Sequence, residues 1–158
     1  MISIRPATAE DEALIAGIIR ASLDVSYARF LPHHQYQKIL DMSRPAVVAR
    51  EHCLGFAIAE ADGAQAGVML LRDNYLDQLW THPDFMGRGV GSLLLAYAEE
   101  RARAGGFDEL TLDCFEKNVK ALAFYDRKGF TLRRTYMSVD YLRGEYIRSL
   151  AKPLRDPA

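Results

Sequence analysis

The chain has 158 residues, is 49% hydrophobic and 26% charged, and carries a formal net charge of −1. That length suits one domain, residues 1–158, with a real core, and the near-neutral balance gives no field to recruit nucleic acid or an anionic membrane. The apolar runs fall far below the ~18 residues of a membrane span, and Met-Ile-Ser-Ile-Arg does not read as a secretory signal, so the expected location is the cytoplasm. Ile2–Arg5 reads as a first strand. Thr8-x-x-Asp11 has capping-box spacing and opens a helix to about Ser22. Tyr27 to Leu40 is mixed, broken at Pro32, with a second helix beyond it. Phe56–Ala61, Asp62-Gly63 and Ala66–Leu71 predict a hairpin; Asp73-Asn74 turns into a strand over Leu76–Thr81. A glycine-rich segment follows, then a helix to about Ala104, where Gly105-Gly106 stops it. The pattern then gives a strand over Leu110–Phe115, a helix over Asn118–Lys128 ended by Gly129, and two strands near Phe130–Tyr136 and Tyr146–Pro153. The expected class is α/β (α+β), a sheet of about six or seven strands with helices on both faces.

Met86-Gly87-Arg88-Gly89-Val90-Gly91-Ser92 lies between the Leu76–Thr81 strand and a stretch in which Val90, Leu93, Leu94, Tyr97 and Ala98 recur at helical spacing. Glycines at alternate positions remove β-carbons where a strand turns into a helix, so peptide N–H groups can approach an anion closely. The unpaired donors and positive dipole end of the first helical turn favour a phosphate or pyrophosphate at the same place. A bare strand–helix turn is the simpler alternative for such a segment taken alone. A P-loop needs Lys then Ser or Thr after its last glycine, and here Ser92-Leu93 follows Gly91. A dinucleotide fingerprint needs G-x-G-x-x-G; from Gly87 the third glycine comes one place early, and from Gly89 the position is Leu94.

Gly89-Val90-Gly91 fits the second half of R/Q-x-x-G-x-G/A, the acyl-CoA loop of the GNAT superfamily of N-acetyltransferases, and the preceding Leu-Trp-Thr-His-Pro-Asp-Phe resembles that family's fourth strand and its exit. Met86 stands where the family has Gln or Arg, which removes one side-chain hydrogen bond and leaves the backbone donors; Arg88 is the residue placed to supply the missing charge. Asn118-x-x-Ala121-x-x-Phe124-Tyr125-x-x-x-Gly129-Phe130 resembles the family's second cofactor motif at every fixed position. The opening Ile-Ser-Ile-Arg-Pro resembles its first strand, while residues 20–50 match weakly.

The resemblance implies a mixed, mostly antiparallel sheet with splayed central strands. It also implies acetyl transfer from acetyl-CoA to a primary amine of a small molecule or peptide, by direct attack in a ternary complex. A non-catalytic coenzyme-binding sensor is the alternative function, and a homodimer is a frequent state of proteins that resemble this one. It implies that Gly87, Arg88, Gly89, Val90, Gly91 and Ser92 hold the diphosphate, and that Leu79, Trp80 and Thr81 border the pantetheine arm. Asn118 would bond that arm or the phosphate end, with the role of a plain helix N-cap as its alternative. Tyr125 would protonate the leaving thiolate, against the alternative of a core aromatic.

Acetyl transfer needs a neutral amine, because an alkylammonium of pKa ~10.4 has no free lone pair. Asp77, an acid in the middle of a largely buried strand, is the candidate base; by alternation it shares a face with Tyr75 and Leu79. A salt-bridged Asp is the equal alternative, and Glu116 is the second candidate. The amide near Leu79 is the expected oxyanion donor. The acceptor pocket is expected from the least family-like segments, Tyr27–Tyr36 and Met137–Glu145, whose aromatic side chains could line an amine pocket; ordinary packing or a dimer face is the favoured alternative for most of them. His33, His34, His52 and His82 form no ligand pair with a third ligand nearby, so a metal site is not expected. Cys53 and Cys114 read as free thiols.

Overall fold

Turn chemistry sets strand order in the computed structural model, which describes residues 1–155. Seven strands form one sheet: β1 (Ile2–Pro6), β2 (Phe56–Ala61), β3 (Ala64–Arg72), β4 (Tyr75–Thr81), β5 (Glu109–Phe115), β6 (Thr131–Met137) and β7 (Tyr146–Pro153). Asp62 and Gly63 both take positive φ, 53° and 81°, the two-residue turn that matches strand twist and joins β2 to β3. The sheet order is β1-β2-β3-β4-β5-β7-β6, and every neighbouring pair is antiparallel except β4 with β5. The expected mostly antiparallel α/β sheet, helices on both faces, is therefore the observed one.

On one face lie α1 (Glu12–Val25), α2 (Tyr27–Phe30), α3 (His33–Asp41) and α4 (Arg44–His52). Ile15, Ile18, Ile19 and Leu23 of α1 bury there with Val48 and Ala49 of α4 against Phe56, Ile58, Val68 and Leu70. The sequence reading did not include α4. Its start was marked by Pro45 in the first turn, a position at which proline's missing N–H and fixed φ suit a helix. On the other face lie α5 (Val90–Ala104) and α6 (Val119–Arg127), packed on Ala57, Met69, Leu76, Leu110 and Leu112. The buried stripe of α5 runs through Val90, Leu94, Leu95, Ala98 and Ala102; Leu93, expected on it, is 43% exposed. None of the described helices is long and apolar enough to cross a membrane.

The capping box at the head of α1 is built as expected, with an addition. The Asp11 carboxylate accepts from the Thr8 N–H at 2.7 Å and also from Arg5 of β1, at 2.8 and 3.0 Å. Those Arg5 hydrogen bonds, then the Thr8 amide, hold the Asp11 carboxyl well below the usual carboxylate range. Its folded pKa is depressed, so its stabilisation is complete above the unfolded value and is lost as pH falls through the folded one. Asp11→Asn should lower the unfolding free energy at neutral pH. The gap between variant and wild type should then shrink below roughly pH 4, the unfolded carboxylate value, as read by denaturant titration at stepped pH.

Gly67 on β3 decides how closely α5 sits on the sheet. A β-carbon there would lie 2.8 Å from Val90 Cγ1, 2.9 Å from Trp80 O and 3.0 Å from Leu94 Cδ1. Only a missing side chain lets the first turn of α5 press against β3 beside β4. Gly67→Val should overpack this contact and lower the thermal midpoint by roughly 5 °C or more.

Candidate active site

β4 and β5 share a single paired position, Tyr75 with Thr111, backed by Thr111 N–H to Asn74 O at 2.8 Å. Beyond it the two strands part. The register of β4 against β3 shifts between Leu70, opposite Gln78, and Leu71, opposite Leu76, so Asp77 is the extra residue of a bulge. This corrects the alternation expected for β4. Leu76 and Leu79 both face α5 and α6, while Tyr75 and Trp80 face α1–α4. The bulge breaks the two-residue period, because two residues of one strand oppose one of the other.

The same register shows which β4 peptide groups are free. His82 N–H donates to Ala66 O at 2.8 Å, and bonded and non-bonded pairs alternate in an antiparallel ladder. Trp80 opposite Val68 is then a bonded pair, whereas Thr81 opposite Gly67 and Leu79 opposite Met69 are not. The N–H and C=O of Leu79 and Thr81 therefore point away from β3, into the gap toward β5. Counting on from Tyr75 and Thr111, with one residue allowed for the bulge, brings Leu79 level with Cys114.

The glycine segment closes one end of this gap. Gly87 and Gly89 sit at φ 77° and 83°, and a β-carbon on either would meet nothing within 4 Å. Among the described residues, no hydrogen bond takes up the N–H groups of residues 87–92; Leu93 is the first to donate, to Gly89 O at 3.1 Å. Successive free amides at the head of a fifteen-residue helix fit a diphosphate. Gly91 lies between the Thr81 hydroxyl and the Phe124 ring, each 3.7 Å from where its β-carbon would be. Val90 is buried in the core, and Ser92 follows it in the first turn, half-buried. Arg88, expected to aim at the anion, stacks on Phe85 at 5.1 Å and reaches Asp62 at 3.3 Å. Met86 is partly exposed beside it.

Asn118 caps α6, its Oδ1 accepting from Ala121 N–H at 3.4 Å. Tyr125 lies two turns on, in edge contact with Phe124 at 5.2 Å and Phe130 at 5.4 Å. Burial, and then the Cys114 thiol, push its phenol above the ordinary tyrosine value, so it stays protonated. Burial also pushes the Cys114 thiol up, to about 12, which makes it a poor nucleophile. Cys53 and Cys114 are free thiols.

The opposite face of the gap is aromatic. Tyr27 spans it, 5.3 Å from Trp80 of β4 and 5.4 Å from Phe115 of β5, with Phe30 behind at 4.9 Å. The Trp80 indole thus lies on the side away from the glycine segment and donates to Gln78 Oε1 at 2.6 Å. Tyr141 packs into the same layer, Tyr36 is tied to Asp24, and His33 and His34 are exposed. Asp77 pairs with Arg72 at 2.9 Å and accepts from Gln78 at 3.1 Å; Glu116 pairs with Arg148 at 3.5 Å. His82 is a turn residue whose Nδ1 accepts from Asp84 N–H. Sequence reasoning passed over Asp113, which accepts from Tyr75 and Tyr136 on this face. Its alternation with Leu112 and Cys114 was readable, but its tyrosine partners come from β4 and β6, which only the sheet order brings near.

A sequence profile described as the acetyltransferase (GNAT) family matches residues 12–130. The chain is 32% identical over 130 residues to the peptidyl-lysine N-acetyltransferase YjaB of Escherichia coli, covering 82% of each chain. The solution structure of apo YjaB from the same organism superposes with a TM-score of 0.77 at 27% identity, over 96% of this chain and 97% of that one. The PaiA N-acetyltransferase of Thermoplasma acidophilum, solved in complex with coenzyme A, shares the fold at a TM-score of 0.74 and 21% identity, over 97% and 99% of the two chains. A parallel strand pair that opens beside unbonded helix-head amides is what an acyl-CoA needs, and with the profile match it makes this chain a member of the GNAT family, an acetyltransferase that uses acetyl-CoA as its co-substrate.

Proposed function

We propose that the protein acetylates the side-chain amine of lysine in a peptide, with coenzyme and acceptor bound together on opposite faces of the β4–β5 gap. One observation carries this reading: the free main-chain groups of Leu79 point into the gap, and the protonated Tyr125 phenol packs against the same apolar layer as Leu79, the layer that contains Cys114. The relatives named for peptidyl-lysine acetylation support the acceptor class. Acetyl-CoA supplies an activated acyl group. The amides of residues 87–92 hold its diphosphate, and Leu79 and Thr81 pair with the pantetheine arm much as an added strand would. Asn118 keeps a side-chain NH2 to offer the same arm beside its capping bond.

The Leu79 N–H then faces the charge that develops on the thioester oxygen, as a preorganised donor. The amine nitrogen forms the C–N bond as the C–S bond breaks, and the sulfur takes the Tyr125 proton. The proton lost from nitrogen returns to solvent and, through it, to the tyrosinate. Asp77 is tied to Arg72 and Gln78, and we assign it to shaping the bulge that turns Leu79 inward, not to the base role.

Thiol release with acetyl-CoA and lysine-containing peptides tests this. Tyr125→Phe should lower kcat by about a hundredfold while leaving the acetyl-CoA dissociation constant nearly unchanged. Because the Tyr125 pKa is raised, wild-type kcat should not fall through loss of this proton until well above pH ~10. An undiminished kcat in the phenylalanine variant would remove Tyr125 from the chemistry. Gly89→Ala tests the loop. An alanine at φ 83° costs about 1–2 kcal/mol, so calorimetry should find acetyl-CoA binding weakened by roughly five- to thirtyfold.

A further inference from the structure

Asp113 of β5 differs from the other acids around the gap. Asp77, Glu116 and Glu145 each hold a cation, Arg72, Arg148 and Lys117 respectively. Among the described residues no Lys, Arg or His lies within ion-pair distance of Asp113, and its residue surface is exposed. Two neutral hydroxyls converge on a single oxygen instead: Tyr75 Oη donates to Oδ2 at 3.1 Å and Tyr136 Oη donates to Oδ2 at 2.9 Å. They come from β4 and β6, so three strands lock the carboxylate in one orientation. Burial, and then this contact, push the Tyr136 phenol up to about 12, so it remains a donor. Arg134 stacks on the Tyr136 ring at 4.7 Å without pairing with the carboxylate.

The arrangement fixes the carboxylate and leaves its charge uncompensated, with Oδ1 available. Phe115, two residues on, shares the face and contacts Tyr27 and Phe30. A fixed anion one strand step from an aromatic wall matches one chemistry well: a primary ammonium on an aliphatic stem. The cation pairs with the carboxylate, and the methylenes and the charge both favour ring faces. Asp113 also stands one residue before Cys114, the position level with Leu79.

We infer that Asp113, held by Tyr75 and Tyr136, is the acceptor anchor, binding the lysine ammonium at the mouth of the gap on the α1–α4 face while the stem packs on Tyr27 and Phe115. This rests on the peptide-lysine reading above. The ammonium donates to Oδ1 and releases one proton to water through the open mouth; the neutral amine keeps a hydrogen bond to the same oxygen as it turns toward the gap.

Steady-state kinetics with acetyl-CoA and a lysine-containing peptide test the anchor, with acetyl-CoA binding measured by calorimetry on every variant. Asp113→Asn should raise the acceptor KM by about ten- to a hundredfold, the range for losing a hydrogen bond to a charged partner, and leave the acetyl-CoA KM within about twofold. Asp113→Glu should recover part of that loss, and Tyr136→Phe should raise the acceptor KM by roughly threefold by loosening the carboxylate. An Asp113→Asn enzyme whose acceptor KM stays within about twofold of wild type overturns the anchor and leaves the acetyltransferase reading standing. Loss of acetyl-CoA binding in that variant also overturns it, since the carboxylate would then be structural. A wild-type enzyme that binds acetyl-CoA and acetylates no lysine peptide overturns the peptide-lysine reading, and this assignment with it.

Discussion

Among the described residues, the backbones of parallel strands β4 and β5 pair at one position, Tyr75 with Thr111. A parallel pair normally continues for several residues, because each strand would otherwise leave a row of peptide groups without partners. Here the pairing stops at Tyr75 and Thr111, although both strands run on to Thr81 and Phe115. The opened edges are tolerable because the sheet is anchored on both sides of them. β4 is paired to β3 along its length, and β5 is paired to β7 from Glu109 to Phe115. A seam that is free inside and fixed outside leaves a slot lined by unpaired peptide groups.

Two local devices aim this slot. The bulge at Asp77 changes the phase of β4, so that the peptide groups of Leu79 and Thr81 face the opening while their ladder neighbours still bond β3. The close approach at Gly67 brings the first turn of α5 against the same strands, which sets the free amides of residues 87–92 at the end of the slot. The site therefore depends on strand phase and on one missing β-carbon as much as on the glycine motif itself.

The two faces of the sheet carry different groups. α5 and α6 bring the glycine turn and Tyr125 to one side, where Tyr125 packs against the layer that holds Cys114. α2, β6 and the outward face of β5 bring aromatic rings and a carboxylate to the other. Trp80 and Leu79 are neighbours in sequence and lie on opposite faces of the sheet, since adjacent residues on a strand face opposite ways.

The sequence alone determined the order of nearly all elements, the glycine turn, the Asn118 cap and the Asn118–Phe130 motif, because each is written in residues close together in the chain. Helix α4 escaped it, since its apolar stripe of Val48 and Ala49 is short and only packing against α1 makes it a helix face. The faces of β4 were misjudged because a bulge is a property of two strands in register, and one strand's spacing does not record it. Tertiary structure alone decided that Asp77 meets Arg72, that Arg88 turns to Phe85 and Asp62, and that Asp113 meets two tyrosines. A side chain's electrostatic surroundings depend on strands far apart in the chain and near in space, whereas turns and caps need only a few consecutive residues.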